Sequence, residues 1–599
     1  SSIFYATVLI VLVFVPLLGL IGVAGRLFSP IAIATIISML ASFLVSLTVI
    51  PVLGSFLLKP NPGKQHGDAA PVRALKHLFT KTWLMLALTQ PFLVIGLTLG
   101  LLFLAVDQAL QMGGNFLPAF REPSAVVATT TAPGTSLKQT TEIAEVAIDQ
   151  LLKIPEVETA GYRAGRAERG DHVVPVSTVE FEVDFDDKSG RPREAVLDEI
   201  RTTMRGIPGT FSAMSGPLAD RIGHMLSGVS AKIAIKIFGA DLDELRRLGT
   251  EIAEIARKIP GLEEARIEQQ APIPQLRIEI NRERALAYGV TPGELNEQLA
   301  ALIGGESLAK IHEDQKIHDL VLRLPPEWRN EPEYLRDLYI DSRSGQRIPL
   351  HYIADIRQAS GPNTILRENT RRRFVVSINP TTSNLNAAVE ELQREVAGNV
   401  TLPEGYTVSF EGEYQAQQDA KQRIFIMSGI VLFVVIMLLY GYFRSSPLVL
   451  LVLTNLPISL VGGILLTRWT LDNISIATLV GFIAVSGISA RNTIMLLSHY
   501  LHLMKHEGES FTRKMVERGT RERLVPILMT ALSAGIALIP LVFAANEPGK
   551  EILNPVAIVI VGGLISSTLL GLLVTPALFY SFCKKSAEKA VHRLGGSSQ

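Results

Sequence analysis

The sequence predicts an α-helical membrane bundle of eight transmembrane helices combined with a large external α+β region. Three observations lead to this fold class: long apolar segments near both ends of the chain, a polar insert over residues 112–420, and strand–helix–strand patterns that recur within the insert. Each apolar segment is long enough to cross a hydrocarbon core of about 30 Å as a helix. The segments cover residues 3–25, 31–57, 84–109, 424–442, 447–468, 474–500, 524–545 and 553–582.

The apolar region near the start of the chain is repeated near its end. Residues 40–59 (LASFLVSLTVIPVLGSFLLK) align with residues 565–584 (ISSTLLGLLVTPALFYSFCK), and the preceding segments align in the same order. Internal repeats of this kind are typical of transporter folds. We therefore expect residues 1–59 to be the tail of a first copy, in a fragment, a processed chain or one half of a split protein.

Basic residues in the short connections predict the orientation in the membrane. The connections over residues 58–83 and 501–523 and the tail after residue 583 are rich in lysine and arginine, and all three lie on one side if the spans alternate. That side is predicted to be cytoplasmic, and the insert is predicted to lie outside. The single cysteine, Cys583, then falls at a cytoplasmic helix end, where a thiol stays reduced.

The insert contains three segments in which a strand with alternating apolar residues precedes an amphipathic helix and a second strand. They begin at SAVVATTT (124–131), KIAIKIFG (232–239) and RRFVVSINP (372–380). This pattern indicates two small α+β subdomains with their helices on one face of each sheet. Residues 272–360 lie between the second and third patterns and are predicted to be an insertion within the second subdomain.

Several longer motifs resemble those of the resistance-nodulation-division (RND) proton-driven efflux pumps, and GRLFSP and NFLP resemble the heavy-metal-efflux (CzcA/CusA-like) branch. The motifs are GRLFSP (25–30), GNFLPAFREP (114–123), LRIEINRERALAYGV (276–290), LPISLVGG (456–463), GFIAVSGISARNTIMLLSHY (481–500) and RLVPILMTALSAGIALIPL (523–541). The resemblance covers essentially the whole chain, as helices 5–12 of an RND pump with its second periplasmic loop.

The resemblance implies a domain organisation, which we state as an expectation. Residues 1–58 would be transmembrane helices 5–6, 59–83 a cytoplasmic connection, 84–111 helix 7, 112–225 the porter subdomain PC1, 226–271 with 361–420 the porter subdomain PC2, 272–360 the docking subdomain DC, 421–583 helices 8–12, and 584–599 a cytoplasmic tail.

One charged residue, Arg491, interrupts the apolar segment 474–500. A cation at this depth costs about 2.5–3.5 kcal/mol on insertion scales, so it is expected either to have a partner inside the bundle or to extend to an interface. The resemblance implies that Arg491, Asn492, Arg523 and Thr530 belong to a proton relay whose carboxylates lie on the fourth helix. Arginine stays protonated, so Arg491 would respond to proton uptake without carrying the proton. Alternatively, Thr530 is a helix hydroxyl bonded to its preceding turn and Arg523 an interfacial anchor.

The resemblance also points to a substrate cleft in the insert, where copper and silver pumps use three methionines. The aligned positions are Thr178, His224 (or Met225) and Leu248, so a three-methionine site is not expected. Met214, Met225, His224 and, less directly, Asp171 and His172 remain candidate ligands, with His224 and Met225 as the predicted metal pair. The methionines are equally typical of core positions.

Together these features predict a secondary active transporter, not an enzyme, that exports heavy-metal cations such as Zn, Co, Cd or Cu by proton antiport. No ATP-binding motif and no structural-zinc spacing occurs, so we expect no cofactor, with the proton gradient as energy source. The expected location is the bacterial inner membrane, and the expected partners are a segment with helices 1–4 and the first periplasmic loop, two further copies in a homotrimer, a periplasmic adaptor and an outer-membrane channel. No nucleic-acid partner is expected. The alternatives are an exporter of organic compounds and a non-transporting structural half-subunit.

Overall fold

The structure is a computed structural model that describes residues 2–57, 69–118, 120–165, 174–186, 190–229, 231–262, 264–380 and 385–595. A bundle of long apolar helices carries an α/β region on one end. Seven helices of the described chain are long and apolar enough to cross a membrane, and Ile3–Leu18 forms a shorter apolar helix beside them.

The first part of the chain is entirely helical. Its elements are α1 (Ser2–Leu18), α2 (Gly22–Leu47), α3 (Val49–Leu57), α4 (Ala70–Phe79), a π-helical turn (Thr80–Leu84), α5 (Met85–Thr89) and α6 (Pro91–Gln111). The expectation of one span over residues 3–25 was wrong at its end, because α1 stops at Leu18 and the chain turns through Gly22, whose φ is +63°. Glycine adopts this left-handed conformation without a steric penalty. The residues on both sides of the turn are apolar, so the composition of the segment did not reveal the turn.

The first α/β unit contains a four-stranded antiparallel sheet in the order β3-β4-β2-β5. The elements, after the short β1 (Gly113–Gly114), are β2 (Ser124–Thr131), α7 (Leu137–Leu151), β3 (Val157–Ala164), β4 (Thr178–Phe185), α8 (Arg193–Arg205), β5 (Thr210–Ser215) and α9 (Pro217–Ser227). Alternate residues of β4, including Phe181 and Val183, are buried against α7 and α8. The other sheet face is therefore available to line a cleft.

The second α/β unit starts with β6 (Ile233–Phe238), α10 (Leu242–Arg257) and β7 (Arg266–Ile267). A separate module then interrupts it. The module contains β8 (Pro272–Ile280), α11 (Arg282–Ala287), α12 (Pro292–Leu299), a π-helical turn (Ala300–Gly304), β9 (Glu306–Glu313), β10 (Lys316–Leu322), α13 (Pro326–Asn330), α14 (Pro332–Arg336), β11 (Tyr339–Asp341), β12 (Arg347–Pro349), α15 (Leu350–Ile353) and β13 (Ala354–Pro362). Its first and last strands pair antiparallel along their whole length, so the module leaves and rejoins the unit at one point.

The second unit then closes with β14 (Arg367–Glu368), β15 (Arg371–Ile378), α16 (Leu385–Asn399) and β16 (Thr407–Gly412). The sheet order is β14-β15-β6-β16, with β7 also pairing with β15. Ile233, Ile235 and Ile237 of β6 are fully buried among residues of α10 and α16. The neighbouring Lys236 must therefore lie on the opposite face of the sheet.

The last part of the chain returns to the bundle. Its elements are α17 (Glu413–Phe443), α18 (Ser446–Thr470), β17 (Asn473–Ile474), α19 (Ile476–His506), α20 (Arg513–Phe543), α21 (Leu553–Phe582) and α22 (Lys584–Gly595). β17 pairs in parallel with β1, so the end of α6 and the start of α19 lie together beside the α/β region. The far end of α19 and the start of α20 therefore lie at the opposite end of the bundle. The described basic residues of α4 and α22 share that end, because α4 packs against α20 and α22 packs against α19.

Candidate functional site

A cavity of about 260 Å³ lies within the bundle, where α1 and α2 face α19 and α20. Its lining includes Arg491, Asn492, Arg523 and Thr530, the four residues predicted from the sequence to belong to a proton relay. The remaining lining residues are Ile3, Ala6, Thr7, Ile10, Met39, Ser42, Phe43, Ser46, Met495, Pro526 and Ile527. The fold thus brings two separate segments of the sequence to one place; their role in proton transfer stays a prediction.

Arg491 occupies the middle of its helix. It lies 15 residues from each end of α19 (Ile476–His506), which corresponds to about 22 Å at 1.5 Å per residue. The sequence had ended this helix near residue 500, so Arg491 lies further from the helix end than expected. A charged side chain in the central turns of an apolar helix is expected to have a partner inside the bundle.

The charges and hydrogen bonds around this cavity are unbalanced. Arg491 and Arg523 are both cationic, and none of the residues that line the cavity in the described chain is acidic. The side-chain amide nitrogen of Asn492 is buried and has no hydrogen-bond partner there. A buried donor without an acceptor carries a desolvation penalty, which a hydrogen-bond acceptor in the cavity would remove.

Hydroxyl groups complete the lining. Thr530 Oγ1 donates to the carbonyl of Ile527 at 2.8 Å, the local helix bond that was the alternative explanation for this residue, although Thr530 also faces the cavity. Ser46 on α2 and Thr7 on α1 make equivalent local bonds, to Phe43 O at 2.7 Å and Ile3 O at 2.9 Å. Sequence reasoning did not select these two residues, because serine and threonine are ordinary in apolar helices.

A second candidate site is the cleft between the two α/β units, a cavity of about 860 Å³. Thr178 lines it from β4, with Phe211 from β5, and Val375 and Ser377 line the opposite wall from β15. The guanidinium of Arg266 lies 4.3 Å from the centre of the Phe211 ring and so connects the two units at the edge of the cleft. The walls are otherwise a mixture of apolar side chains, hydroxyls and amides.

Glu268 is the single carboxylate among the described residues that line this cleft. Its Oε2 accepts the backbone N–H of Val375 at 3.0 Å. Burial raises the pKa of the Glu268 carboxyl to about 7, although the nearby Arg373 charge and the Val375 hydrogen bond both lower it. Sequence reasoning missed this residue, since nothing in the ARIEQ segment distinguishes it from a solvent-exposed acid.

The sheet beneath the cleft contains a buried ion-pair network. Lys236 is 2% exposed, and its Nζ lies 2.8 Å from Glu368 Oε2 and 2.5 Å from Glu411 Oε2. Arg373 Nε lies 3.6 Å from the same Glu368 Oε2. Lys236 is thus paired with Glu368 and Glu411, whereas Arg373 lies near both Glu368 and Glu268, the carboxylate that lines the cavity.

The other predicted cleft residues are dispersed. Met214 lines an adjoining cavity of about 380 Å³, whereas Met225 is 63% exposed on α9 and His224 Nε2 lies 3.8 Å from Asp220 Oδ2. Neither His224 nor Met225 lines either cavity, and no group of three His, Cys, Asp or Glu side chains suited to a metal ion occurs among the described residues. Their assignment as metal ligands stays a prediction.

Leu248, the third position aligned with the methionines of copper and silver pumps, does not line the cleft. Leu248 on α10 is fully buried in the apolar core between that helix and the sheet of the second unit. The amphipathic spacing of α10 dictates this burial, and a core leucine cannot contact a substrate. Asp171 and His172, the two further candidates, lie outside the described residues.

Comparison with known proteins places the chain in a family. The model of the AcrB/AcrD/AcrF family matches residues 1–583. Protein HelA of Legionella pneumophila is 31% identical over 588 residues, with 96% of this chain and 55% of that protein covered. The cobalt-zinc-cadmium resistance protein CzcA of Cupriavidus metallidurans is 30% identical with the same coverage, and the cation efflux system protein CusA of Escherichia coli K12 is 28% identical, with 96% and 56% covered.

A solved structure gives the same result. The crystal structure of a heavy metal efflux pump superimposes with a TM-score of 0.81 at 27% identity, covering 97% of this chain and 57% of that one. The chain thus spans about half the length of the relatives that it resembles. On these grounds, the chain belongs to the AcrB/AcrD/AcrF family of RND efflux pumps, among relatives of the heavy-metal branch.

Proposed function

We propose that the chain forms part of the inner-membrane permease of a proton-driven RND exporter of heavy-metal cations. The observation that carries this proposal is the cavity between α1, α2, α19 and α20 that gathers Arg491, Asn492, Arg523 and Thr530. A pair of guanidinium groups facing an unpaired amide donor can respond to the charge of a carboxylate that is alternately protonated and ionised. The carboxylate would come from a segment that carries helices equivalent to 1–4.

The remaining parts of the pump follow from this assignment. The helix Ile3–Leu18 and the seven longer ones would be helices 5–12, and the two α/β units with their inserted module would be the porter subdomains PC1 and PC2 and the docking subdomain. The α/β region would lie in the periplasm. Three copies would assemble with a periplasmic adaptor and an outer-membrane channel, so that substrate leaves across the whole cell envelope.

The substrate class follows from the relatives. The names of CzcA and CusA describe cobalt-zinc-cadmium resistance and cation efflux, which makes a metal cation the first candidate for this chain. A carboxylate such as Glu268 is a suitable oxygen ligand for Zn, Co or Cd, whereas Cu(I) prefers sulfur. The cleft therefore fits the former group of metals better.

An organic cation is the second candidate substrate, because the large volume of the cleft and its mixed apolar and polar walls suit such a molecule. A cavity of about 860 Å³ with mixed apolar and polar walls is in the size range of pockets for drug-sized molecules. A metal ion needs several converging ligands, and the residues that line this cavity in the described chain offer one carboxylate.

Growth assays would distinguish these functions. The complete pump, with any companion segment, adaptor and channel, is expressed in an efflux-deficient bacterium and tested against Zn, Co, Cd and Cu salts and against ethidium. We expect increased tolerance to at least one metal, which a protonophore abolishes. Tolerance to ethidium alone would support the organic substrate. No change for any compound, with the pump present at normal levels in the membrane, would support a structural half-subunit and overturn the proposal.

A further inference from the structure

A buried glutamine near the start of α17 has no hydrogen-bond partner in the described chain. Gln417 is 0% exposed, and neither its side-chain nitrogen nor its side-chain oxygen has a partner there. A buried polar group without a partner carries a desolvation penalty, so an unpaired amide of this kind indicates that a polar species binds beside it. We propose that Gln417, together with Asn386 and Lys421, binds a small inorganic anion such as chloride.

Three side-chain nitrogens surround one point beside Gly114, just after the end of α6. A Cβ atom on Gly114 would lie 3.0 Å from Gln417 Nε2, 3.1 Å from Asn386 Nδ2 and 3.3 Å from Lys421 Nζ. Glycine in β1 therefore allows the three nitrogens to approach each other with no side chain between them. All three are hydrogen-bond donors, and an ammonium group has no capacity to accept. An anion can accept hydrogen bonds from all three.

The orientation of the Asn386 amide supports this arrangement. Asn386 Oδ1 accepts from Gln418 Nε2 at 3.5 Å, so Nδ2 is the atom that faces Gly114. Asn386 also belongs to the first turn of α16 (Leu385–Asn399), where the positive end of the helix dipole favours a negative charge. The amide and the helix dipole therefore act in the same direction.

The charges around Lys421 also favour an anion. Lys421 is partly buried and forms no ion pair within the described chain. Glu413, the acidic residue on the same face of α17, lies two turns earlier, about 12 Å along the helix axis. Asp419 is exposed and lies on the opposite side of the helix, since two residues correspond to a rotation of about 200°. A bound anion would supply a counter-charge for the Lys421 ammonium.

The proposed site joins three parts of the fold. Gly114 follows α6 of the bundle, Asn386 belongs to the second α/β unit, and Gln417 and Lys421 lie on α17, which continues from that unit into the bundle. An anion that contacts all three elements would stabilise the attachment of the unit to the bundle. The site is independent of the transported substrate, so stability and not transport is the quantity to measure.

The melting temperature of the purified pump is measured as chloride replaces gluconate at constant ionic strength. The wild-type protein is expected to gain on the order of 2–4 °C, with saturation as the site fills. Gln417→Leu and Lys421→Met each remove a donor and are expected to lose this gain. Arg423→Met removes an exposed cation from the same helix and is expected to retain it.

A third variant keeps the test decisive if the apolar substitutions fold poorly. Gln417→Glu places a carboxylate beside Lys421, so it is expected to raise the melting temperature in gluconate and to abolish the gain from chloride. Equal melting temperatures of the wild-type pump in chloride and in gluconate would overturn the proposal. An equal chloride gain in the wild type and in both donor variants would also overturn it, because the anion would then act elsewhere on the protein.

Discussion

Arg491 of α19 and Arg523 of α20 line the same cavity of about 260 Å³, and no acidic side chain lines it among the described residues. Two like charges on adjacent helices repel each other, and the repulsion is larger where water is scarce. An anionic or hydrogen-bond-accepting group in the cavity would reduce this repulsion. The pair is therefore the feature on which we expect proton coupling to depend.

Replacing Arg491 with methionine is expected to abolish export by the assembled pump and to leave its folding nearly unchanged. The substitution removes a buried charge together with its switching role, and a neutral side chain of similar length fills the same space. Substrate efflux from loaded cells and the amount of pump in the membrane are measured together. The matched control is Arg347→Met, which alters a side chain that is 79% exposed in the inserted module. Normal efflux by Arg491→Met would contradict the assignment.

The raised pKa of the Glu268 carboxyl predicts that the stability of the folded protein depends on pH. Its pKa is about 7 in the folded protein, above the ordinary value of 4.5, so the folded state retains a proton that the unfolded state loses first. The protonated carboxyl carries no desolvation penalty, and the ionised one does. This residue therefore lowers stability as the pH rises from about 4.5 to about 7, by on the order of 1–3 kcal/mol.

Glu268→Gln removes that penalty. We expect the variant to raise the melting temperature of the α/β region at about pH 8 and to change it little at about pH 4.5. Differential scanning fluorimetry at the two pH values checks this, with the exposed Glu254→Gln on α10 as control. An equal change in melting temperature at both pH values would mean that ionisation of the Glu268 carboxyl does not cause the pH dependence of stability.

The same variant is expected to weaken binding of a cationic substrate, which isothermal titration above pH 7 would detect.

The hairpin formed by β9 and β10 is predicted to contact another subunit or the adaptor in the assembled pump. All of its residues are exposed, including the apolar side chains of Ile311, Ile317 and Leu320, and a hairpin that projects from a module is suited to contact a partner. Deletion of residues 303–322 is expected to weaken trimer or adaptor association while the bundle still inserts in the membrane. Pull-down and size-exclusion chromatography in detergent measure this. Unchanged recovery of trimer and adaptor would identify the hairpin as a solvated loop.

A fourth prediction concerns the contact between α18 and α21. A Cβ atom on Gly462 would lie 2.1 Å from the carbonyl oxygen of Gly562, so the two backbones touch where only glycine fits. Gly462→Ala is expected to force the helices apart at a cost of about 1–3 kcal/mol. The fraction of monodisperse protein after heating checks this. Gly429→Ala on α17 is the control, because its Cβ would meet no atom within 4 Å.

How far the fold could be predicted differed between its parts. The strands and helices of the α/β region follow from periodicity: β6 alternates buried isoleucines with residues of the other face, and α10 has a continuous apolar side. The break between α1 and α2 did not follow, because it depends on the φ of Gly22, which composition does not report. Helix ends were also misplaced: α19 continues to His506, and Leu501 and Leu503 in its last turns are buried against neighbouring helices.

The sequence by itself determined that this chain forms apolar helices around an α/β insert, and that Arg491 stands out within one of them. These conclusions depend on local properties: length, periodicity and the cost of one charge in an apolar segment. Only the tertiary structure decided which residues meet. It brought Arg523 and Arg491 to the same cavity, buried Leu248 in a core, and exposed Glu268 to the cleft above the Lys236 network. The physical reason is that burial and charge pairing arise from contacts between segments far apart in the chain, and no local pattern encodes their distances.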